Sequence, residues 1–236
     1  NLHLIYGDVC ELSNAIKQQS IDLNWGSAWT EMEKESARKI NSRMHEITEM
    51  FEGKVSWLLS QHLPSECSVF LGNSMSTRYA EYLWPEGEKS HKIFCNRGAN
   101  GIDGTLSTAM GIAHCGKASV ILMGDLAFLH DINALLSIKI LSGSLTVLVI
   151  NNNGGGIFEH LPISQSEPHF EKYFATPQNI NIAKLCAAYG AEYSAICDWQ
   201  QFTSAVSDLP VSGLQVLEIK TDRKADLNTL EDVIKY

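Results

Sequence analysis

The chain has 236 residues, 44% of them hydrophobic, and its 27 acidic and 18 basic side chains give a formal net charge of −9. This length fits one large domain, or one domain with an appendage. The acidic balance argues against a nucleic-acid partner, which requires a basic surface. The sequence contains no run of 18 apolar residues and so predicts no membrane span. Residues 1–6 lack the basic flank and cleavage pattern of a signal peptide.

Six cysteines and eight histidines are present, but neither set is spaced as a metal site. No two cysteines form a C-x-x-C pair, and no H-E-x-x-H pattern occurs, so zinc is not expected. Several cysteines lie in apolar segments, which favours buried free thiols in a reducing compartment. We therefore expect a cytoplasmic protein, with a plastid as the alternative location.

The first 64 residues show no regular alternation of strands and helices. Residues 2–6 predict a short strand, and residues 11–19 and 55–62 predict helices. Residues 25–50 are charged and have a helical period. That period predicts buried side chains at Trp25, Trp29, Met32, Ile40, Met44 and Ile47. We interpret residues 1–64 as the end of a central domain plus linking helices, and residues 65–236 as a separate domain.

From residue 65 onward, predicted strands and helices alternate. Strands are expected at 68–71, 92–95, 118–123, 145–150, 192–196 and 214–220, and helices follow the first five of them. This alternation predicts an α/β fold, a doubly wound parallel sheet with helices on both faces. The apolar runs 118–123 and 145–150 suit central strands that are covered on both faces. Ligands of such sheets bind beyond the carboxyl ends of the strands.

Two of these strand ends carry oxygen-rich turns. Asp125 follows the run 118–123, and Asn152 follows the run 145–150, 27 residues later. The spacing leaves room for one helix between two parallel strands, which would place both side chains at one edge of the sheet. Taken alone, Asp125 could be a helix N-cap and Asn152 a turn residue. Together with an accessible carbonyl at Gly154, they predict a site for a hard divalent cation that holds a diphosphate.

The spacing Gly124-Asp125, then about 26 residues, then Asn151-Asn152 resembles the signature of the thiamine diphosphate enzymes. The resemblance implies that Asp125, Asn152 and the Gly154 carbonyl hold Mg²⁺, or Mn²⁺, which accepts the same oxygen ligands. It also implies that thiamine diphosphate is bound by Ser74, Gly101, Ile102, Gly124, Asp125, Leu126, Asn152, Gly154 and Ile157. Residues 65–236 would then form the diphosphate-binding domain.

A closer resemblance is to one branch of that family, the 2-succinyl-5-enolpyruvyl-6-hydroxy-3-cyclohexene-1-carboxylate synthases of menaquinone and phylloquinone biosynthesis. The similar motifs lie at residues 72–78, 96–104, 124–133 and 151–162. The resemblance implies decarboxylation of 2-oxoglutarate and addition of the product to isochorismate. It assigns substrate contacts to Asn73, Arg78, Arg97, Phe158 and Leu161.

The family's activating glutamate belongs to a separate pyrimidine-binding domain, and family active sites form between the subunits of a homo-oligomer. We find no second domain of this kind in the chain, so the catalytic residue is unknown and the isolated chain is expected to be inactive.

Alternatives remain for the function and for single residues. The chain could belong to another thiamine-dependent 2-oxo acid decarboxylase or carboligase, or serve as a non-catalytic scaffold fragment. Arg78 could be an exposed helical arginine, Ile102 ordinary core, and Ser74 a helix cap. The P-loop-like segment 111–118 is set aside because it runs from helix into strand. The glycines at 98–104 lack the dinucleotide-binding pattern.

Overall fold

The structure is a computed structural model that describes residues 23–85, 87, 89–115 and 118–235. Contacts divide the chain into two compact units, residues 1–39 and residues 40–236. The predicted strand 2–6 and helix 11–19 lie outside the described residues. The proposed domain boundary at residue 64 stays a prediction. No helix in the described ranges is long and apolar enough to cross a membrane.

Helix α1 (Leu23–Glu46) covers most of the helical pattern predicted at 25–50. Met44 is fully buried, whereas Trp25, Trp29 and Met32 are all more than half exposed. The prediction that these three side chains are buried is therefore wrong. A helical period shows which face of a helix is apolar, but not whether another element covers that face.

Six parallel strands form one sheet in the order β2-β1-β3-β4-β6-β5, which confirms the doubly wound α/β fold. The strands are β1 (Ser68–Leu71), β2 (Lys92–Cys95), β3 (Ala118–Gly124), β4 (Ser144–Asn151), β5 (Glu192–Ile196) and β6 (Gly213–Lys220). Strands β3 and β4 are buried almost throughout. Their apolar runs predicted this central position correctly.

Helices cover the two faces of the sheet. They are α2 (Glu52–His62), α3 (Met75–Leu83), α4 (Thr105–His114), α5 (Asp125–His130), α6 (Ile182–Tyr189), α7 (Trp199–Ser207) and α8 (Arg223–Ile234). The single helix expected after the strand 118–123 is two elements, because α5 ends at His130 and a 3-10 helix runs from Ile132 to Ile140. Helix α8 and the short helices Gly156–His160, Pro162–Gln165 and Glu171–Ala175 were not predicted.

The strand register brings the polar turns together. Strands β3 and β4 pair from Ala118 with Ser144 to Gly124 with Ile150, so both end at the same edge of the sheet. Strand β1 lies between β2 and β3. The chain order therefore changes direction between β1 and β3, and α/β sheets bind ligands at such a switch point.

The described cysteines are free thiols, as expected. Cys67 and Cys186 are buried, but Cys95, Cys115 and Cys197 are exposed. The expectation of buried thiols was therefore wrong for these three. They lie at the end of an edge strand or in loops, where neighbouring apolar residues do not enforce burial.

Candidate functional site

A cavity of about 390 Å³ opens at the carboxyl ends of β1, β3 and β4. Every residue that the sequence assigned to cofactor or substrate lines this cavity, except Leu161. Met75, Asn100 and Glu52 line it as well and were not anticipated. The sheet thus collects residues that are far apart in sequence into one space.

Leu161 lies elsewhere. It follows the 3-10 helix Gly156–His160 in an extended conformation and is 47% exposed. It lines a separate surface depression beside Pro162 and helix α8. The short helix turns the chain away from the cavity after Phe158, a turn that the sequence did not reveal.

Asp125 and Gly154 meet at the floor of the cavity. Asp125 is buried, and its Oδ1 accepts a hydrogen bond of 2.8 Å from the backbone N–H of Leu126. Burial raises the pKa of Asp125 to about 6, although hydrogen bonds from the backbone N–H groups of Leu126 and Gly154 oppose the rise. Asp125 and Gly154 both line the cavity, so the ends of β3 and β4 converge there.

Asn152 presents an unsatisfied oxygen. Its side chain is only 9% exposed, and Oδ1 has no hydrogen-bond partner among the described residues. A buried acceptor without a partner is unfavourable by about 1–3 kcal/mol. A bound cation would supply the missing partner.

Gly154 requires its glycine. The residue has φ +138, and a Cβ there would lie 2.3 Å from the carbonyl oxygen of Ala175. An L-residue therefore fits neither the backbone conformation nor the available space. The glycine lets the loop after β4 pass close to the segment that ends at Ala175.

The donor set fits a hard divalent cation. One carboxylate, one amide oxygen and a backbone carbonyl are the oxygen ligands that Mg²⁺ accepts. Among the described residues, no group of three or more His, Cys, Asp or Glu side chains could hold a metal ion. A mixed site of this kind contains a single acidic side chain, so it is not such a cluster.

Two helices begin at the cavity without side-chain caps. Ser74 precedes α3 and Gly124 precedes α5, and neither helix start has a side-chain cap hydrogen bond. Ser74 adopts φ +72, a strained conformation for a serine. The side chain of Ser74 does not cap α3, which was the alternative role for this residue. The N–H groups of such helix starts suit a phosphate.

Two arginines bring positive charge to the wall. Nη1 of Arg97 donates to Oδ1 of Asn73 over 2.9 Å, and Nδ2 of Asn73 donates to the Gly101 carbonyl over 2.5 Å. Nη1 of Arg78 donates to the carbonyl of Ser74 over 2.7 Å. A guanidinium has five N–H donors, so these single bonds leave capacity for a carboxylate.

Apolar side chains form the remaining wall. Ile102 and Ile157 are partly buried and pack at the edges of the two core clusters. Phe158 makes an edge-to-face contact with Phe174, with ring centroids 5.7 Å apart. The cavity therefore combines an oxygen-rich floor, two arginine side chains and an apolar side. This is the composition of a site for an amphipathic organic anion.

Comparison with known proteins identifies the family. The model for the thiamine pyrophosphate enzyme C-terminal TPP binding domain matches residues 73–217. The chain belongs to this family. It is also 45% identical over 240 residues to a 2-succinyl-5-enolpyruvyl-6-hydroxy-3-cyclohexene-1-carboxylate synthase of Gloeothece citriformis, covering 98% of the chain and 41% of that protein. The synthase of Crocosphaera subtropica is 43% identical over 239 residues, covering 100% and 41%.

Solved structures agree on the fold. The benzoylformate decarboxylase of Polynucleobacter necessarius superimposes with a TM-score of 0.57 at 17% identity, covering 72% of this chain and 33% of that chain. The present sequence spans about two fifths of the synthases that it matches.

Glu52 is a residue of the cavity that sequence reasoning missed. It begins α2, is 3% exposed and lines the cavity. Burial raises its pKa well above the usual range, as do the charges of Asp226 and Asp125, whereas a hydrogen bond from the Asn152 side chain lowers it. Acidic residues are common in the first turn of helices. The signal in the sequence that Glu52 could be buried was its position between Phe51 and an apolar run.

Arg223 is a second missed residue, and it fixes the loop that carries Gly154. Its Nε donates to Glu159 over 2.6 Å, its Nη1 donates to the carbonyl of Asn153 over 2.9 Å, and its Nη2 pairs with Glu171. The side chains of Arg223 and Glu159 are largely buried. One guanidinium therefore ties the loop after β4 to two short helices beside it.

Proposed function

We propose that this chain supplies the half-site for thiamine diphosphate and Mg²⁺ in a 2-succinyl-5-enolpyruvyl-6-hydroxy-3-cyclohexene-1-carboxylate synthase. The observation that carries the proposal is the buried Oδ1 of Asn152, which lies in one cavity with Asp125 and Gly154 and has no hydrogen-bond partner within the residues that the structure describes. Identity of 45% to a synthase of this activity supports the substrate assignment.

In this proposal the oxygen groups of Asp125, Asn152 and Gly154 hold the cation. The N–H groups at the starts of α3 and α5 bind the diphosphate, whose charge the helix termini favour. When bound, the cofactor supplies the carbanion chemistry that decarboxylates a 2-oxo acid. Ile102 and Ile157, which line the cavity, would exclude water from the bound cofactor and orient it.

Arg78 and Arg97 bind the substrate carboxylates. Both 2-oxoglutarate and isochorismate are dianions, and guanidinium groups bind carboxylates through paired hydrogen bonds. A chain with net charge −9 needs local positive charge to hold such substrates. Asn73 orients Arg97 through the 2.9 Å hydrogen bond, and Phe158 supplies apolar contact for the isochorismate ring.

The remaining part of the active site comes from another domain of a homo-oligomer. The activating glutamate lies there, so this chain alone binds the cofactor without sustained turnover. We place the enzyme in the cytoplasm or a plastid, where free thiols persist.

Calorimetry with thiamine diphosphate tests the cofactor assignment directly. We expect binding heat with Mg²⁺ present and little without it. Asp125→Asn should weaken binding, because it removes the only carboxylate among the proposed ligands. Asp131→Asn is the matched control, since it removes a carboxylate at the other end of α5. The Asp131 carboxylate accepts hydrogen bonds from Ser107, outside the cavity. Equal heat with and without Mg²⁺, or equal binding by the two variants, would contradict the assignment.

Carbon dioxide release tests the half-site assignment. The isolated chain with Mg²⁺, thiamine diphosphate and 2-oxoglutarate should release no steady carbon dioxide. Adding the N-terminal region of the Gloeothece citriformis synthase should restore release if the two parts assemble. Steady release by the chain alone would refute the half-site proposal, although it would leave the cofactor assignment intact.

A further inference from the structure

We propose that Glu52 is a positioning residue for the metal site: its carboxyl accepts a hydrogen bond from the Asn152 side chain and thereby turns Oδ1 of Asn152 toward the cation. This inference rests on the proposed function. It assigns a role to a buried acid that the ligand set itself does not use.

An asparagine ligand needs its amide to be oriented. The terminal torsion of asparagine is broad and roughly two-fold, so oxygen and nitrogen exchange places at little cost unless neighbours distinguish them. Only the oxygen can bind a cation. Oδ1 of Asn152 has no hydrogen-bond partner in the described part of the chain, so the amide orientation must be fixed from the nitrogen side. A carboxyl group can accept from an N–H whether it is ionised or protonated.

Glu52 is placed to distinguish the two ends. It is 3% exposed and lines the same cavity as Asn152, and a hydrogen bond from the Asn152 side chain lowers its pKa. On another side, Gly156 leaves room for the amide, since a Cβ at that glycine would lie 2.7 Å from Nδ2 of Asn152. A flipped amide would put two acceptors face to face at Glu52 and an N–H toward the cation. Both changes are unfavourable.

Glu52 is itself held by the ends of two other elements. Its backbone N–H donates to Oδ1 of Asp226 over 3.1 Å, and Oδ2 of Asp226 accepts from Thr221 over 2.6 Å. The N–H of Thr221 donates to the carbonyl of Asn151 over 3.2 Å, next to Asn152. The N-cap residue of α2 is Phe51, which offers no side-chain cap, so Asp226 takes that role. The start of α2 is thus tied to the loop it orients.

The test measures cation binding by electron paramagnetic resonance of Mn²⁺ in the presence of saturating thiamine diphosphate. Glu52→Leu removes the acceptor at similar volume, and Glu52→Gln keeps an acceptor oxygen. Loss of a partner that orients a metal ligand typically weakens metal binding 10–100-fold. We expect a loss of about this size for Glu52→Leu, and binding close to wild type for Glu52→Gln.

Val55→Ala is the matched control, because Val55 is fully buried in the same helix and does not line the cavity. It should lower stability without a comparable loss of Mn²⁺ affinity. Equal losses in Glu52→Leu and Val55→Ala, or an unchanged affinity in Glu52→Leu, would overturn the inference. Failure of the wild-type chain to bind Mn²⁺ with thiamine diphosphate would overturn the proposed function as well.

A measurement on the wild-type chain covers the case in which Glu52→Leu does not fold. In a ¹⁵N-labelled sample the side-chain NH₂ signals of Asn152 should exchange slowly with solvent, because the nitrogen is bonded and buried. Rapid exchange or rotation of that amide would contradict a fixed orientation.

Discussion

The Asp226→Asn variant should lose less stability against unfolding than the wild-type chain as the pH rises. Asp226 is buried, and both of its oxygens accept hydrogen bonds, from Glu52 N–H and from the Thr221 hydroxyl. Burial raises the pKa of Asp226 from 3.8 to about 6. Because the folded state holds this proton more tightly than the unfolded chain, its stabilising effect is complete below pH 3.8 and is lost as pH rises through 6.

The size of the effect follows from the pKa shift. The difference between about 6 and 3.8 is about 2 units, and each unit corresponds to 1.36 kcal/mol, so ionisation of Asp226 costs about 3 kcal/mol. Asparagine does not ionise; its oxygen can accept from the Glu52 N–H, and its NH₂ can donate to the Thr221 hydroxyl oxygen. About 0.6 kcal/mol of this is already lost at pH 4, so the stability of the variant relative to wild type should increase by about 2.4 kcal/mol between pH 4 and pH 7.5.

Urea unfolding at a series of pH values between 4 and 7.5, followed by circular dichroism, measures this difference. Asp232→Asn is the control, since it removes an exposed carboxylate from the same helix and reports the effect of lost charge alone. A stability difference between Asp226→Asn and wild type that does not change with pH would refute the reasoning.

Three further predictions concern the loop after β4 and the cavity wall. Gly154→Ala should abolish cofactor binding and destabilise the chain by about 1–3 kcal/mol, because its Cβ would meet the Ala175 carbonyl. Gly98→Ala is the control, since there is open space around Gly98. It should be close to neutral in calorimetry and thermal unfolding. Arg223→Met should destabilise the chain by about 3–5 kcal/mol in urea unfolding, because it leaves a buried carboxylate unpaired, and a loss below 1 kcal/mol would contradict the role of the ion-pair network. Arg97→Ala, in an enzyme with both halves of the site, should raise the KM for 2-oxoglutarate or isochorismate far more than the Kd for thiamine diphosphate; equal losses would count against the carboxylate-binding role.

The sheet and the floor of its cavity could be predicted because local patterns specify them. Strands that are buried on both faces appear as continuous apolar runs, and a parallel sheet places their ends at one edge. Asp125 and Asn152 follow such runs directly. The spacing of these two residues was therefore enough to predict that they lie at the same edge of the sheet.

The remaining features depend on contacts that are distant in sequence. Arg223 pairs with Glu159 and Glu171, which precede it by 64 and 52 residues, and nothing in its own segment indicates this. Glu52 looks like an ordinary acid in a first helical turn until the fold brings Asn152 beside it. The exposure of Trp25 shows the converse, since an apolar position in a helical pattern is buried only if a neighbour covers it.

The most direct test of the metal–diphosphate site is a crystal structure of the chain with Mn²⁺ and thiamine diphosphate, using the anomalous signal of manganese. We predict one Mn²⁺ peak at bonding distance from the Asp125 carboxylate, from Oδ1 of Asn152 and from the Gly154 carbonyl, with the diphosphate completing its coordination. A diphosphate bound in the cavity with no metal peak at these three oxygens, or a peak at another place in the chain, would contradict the central claim.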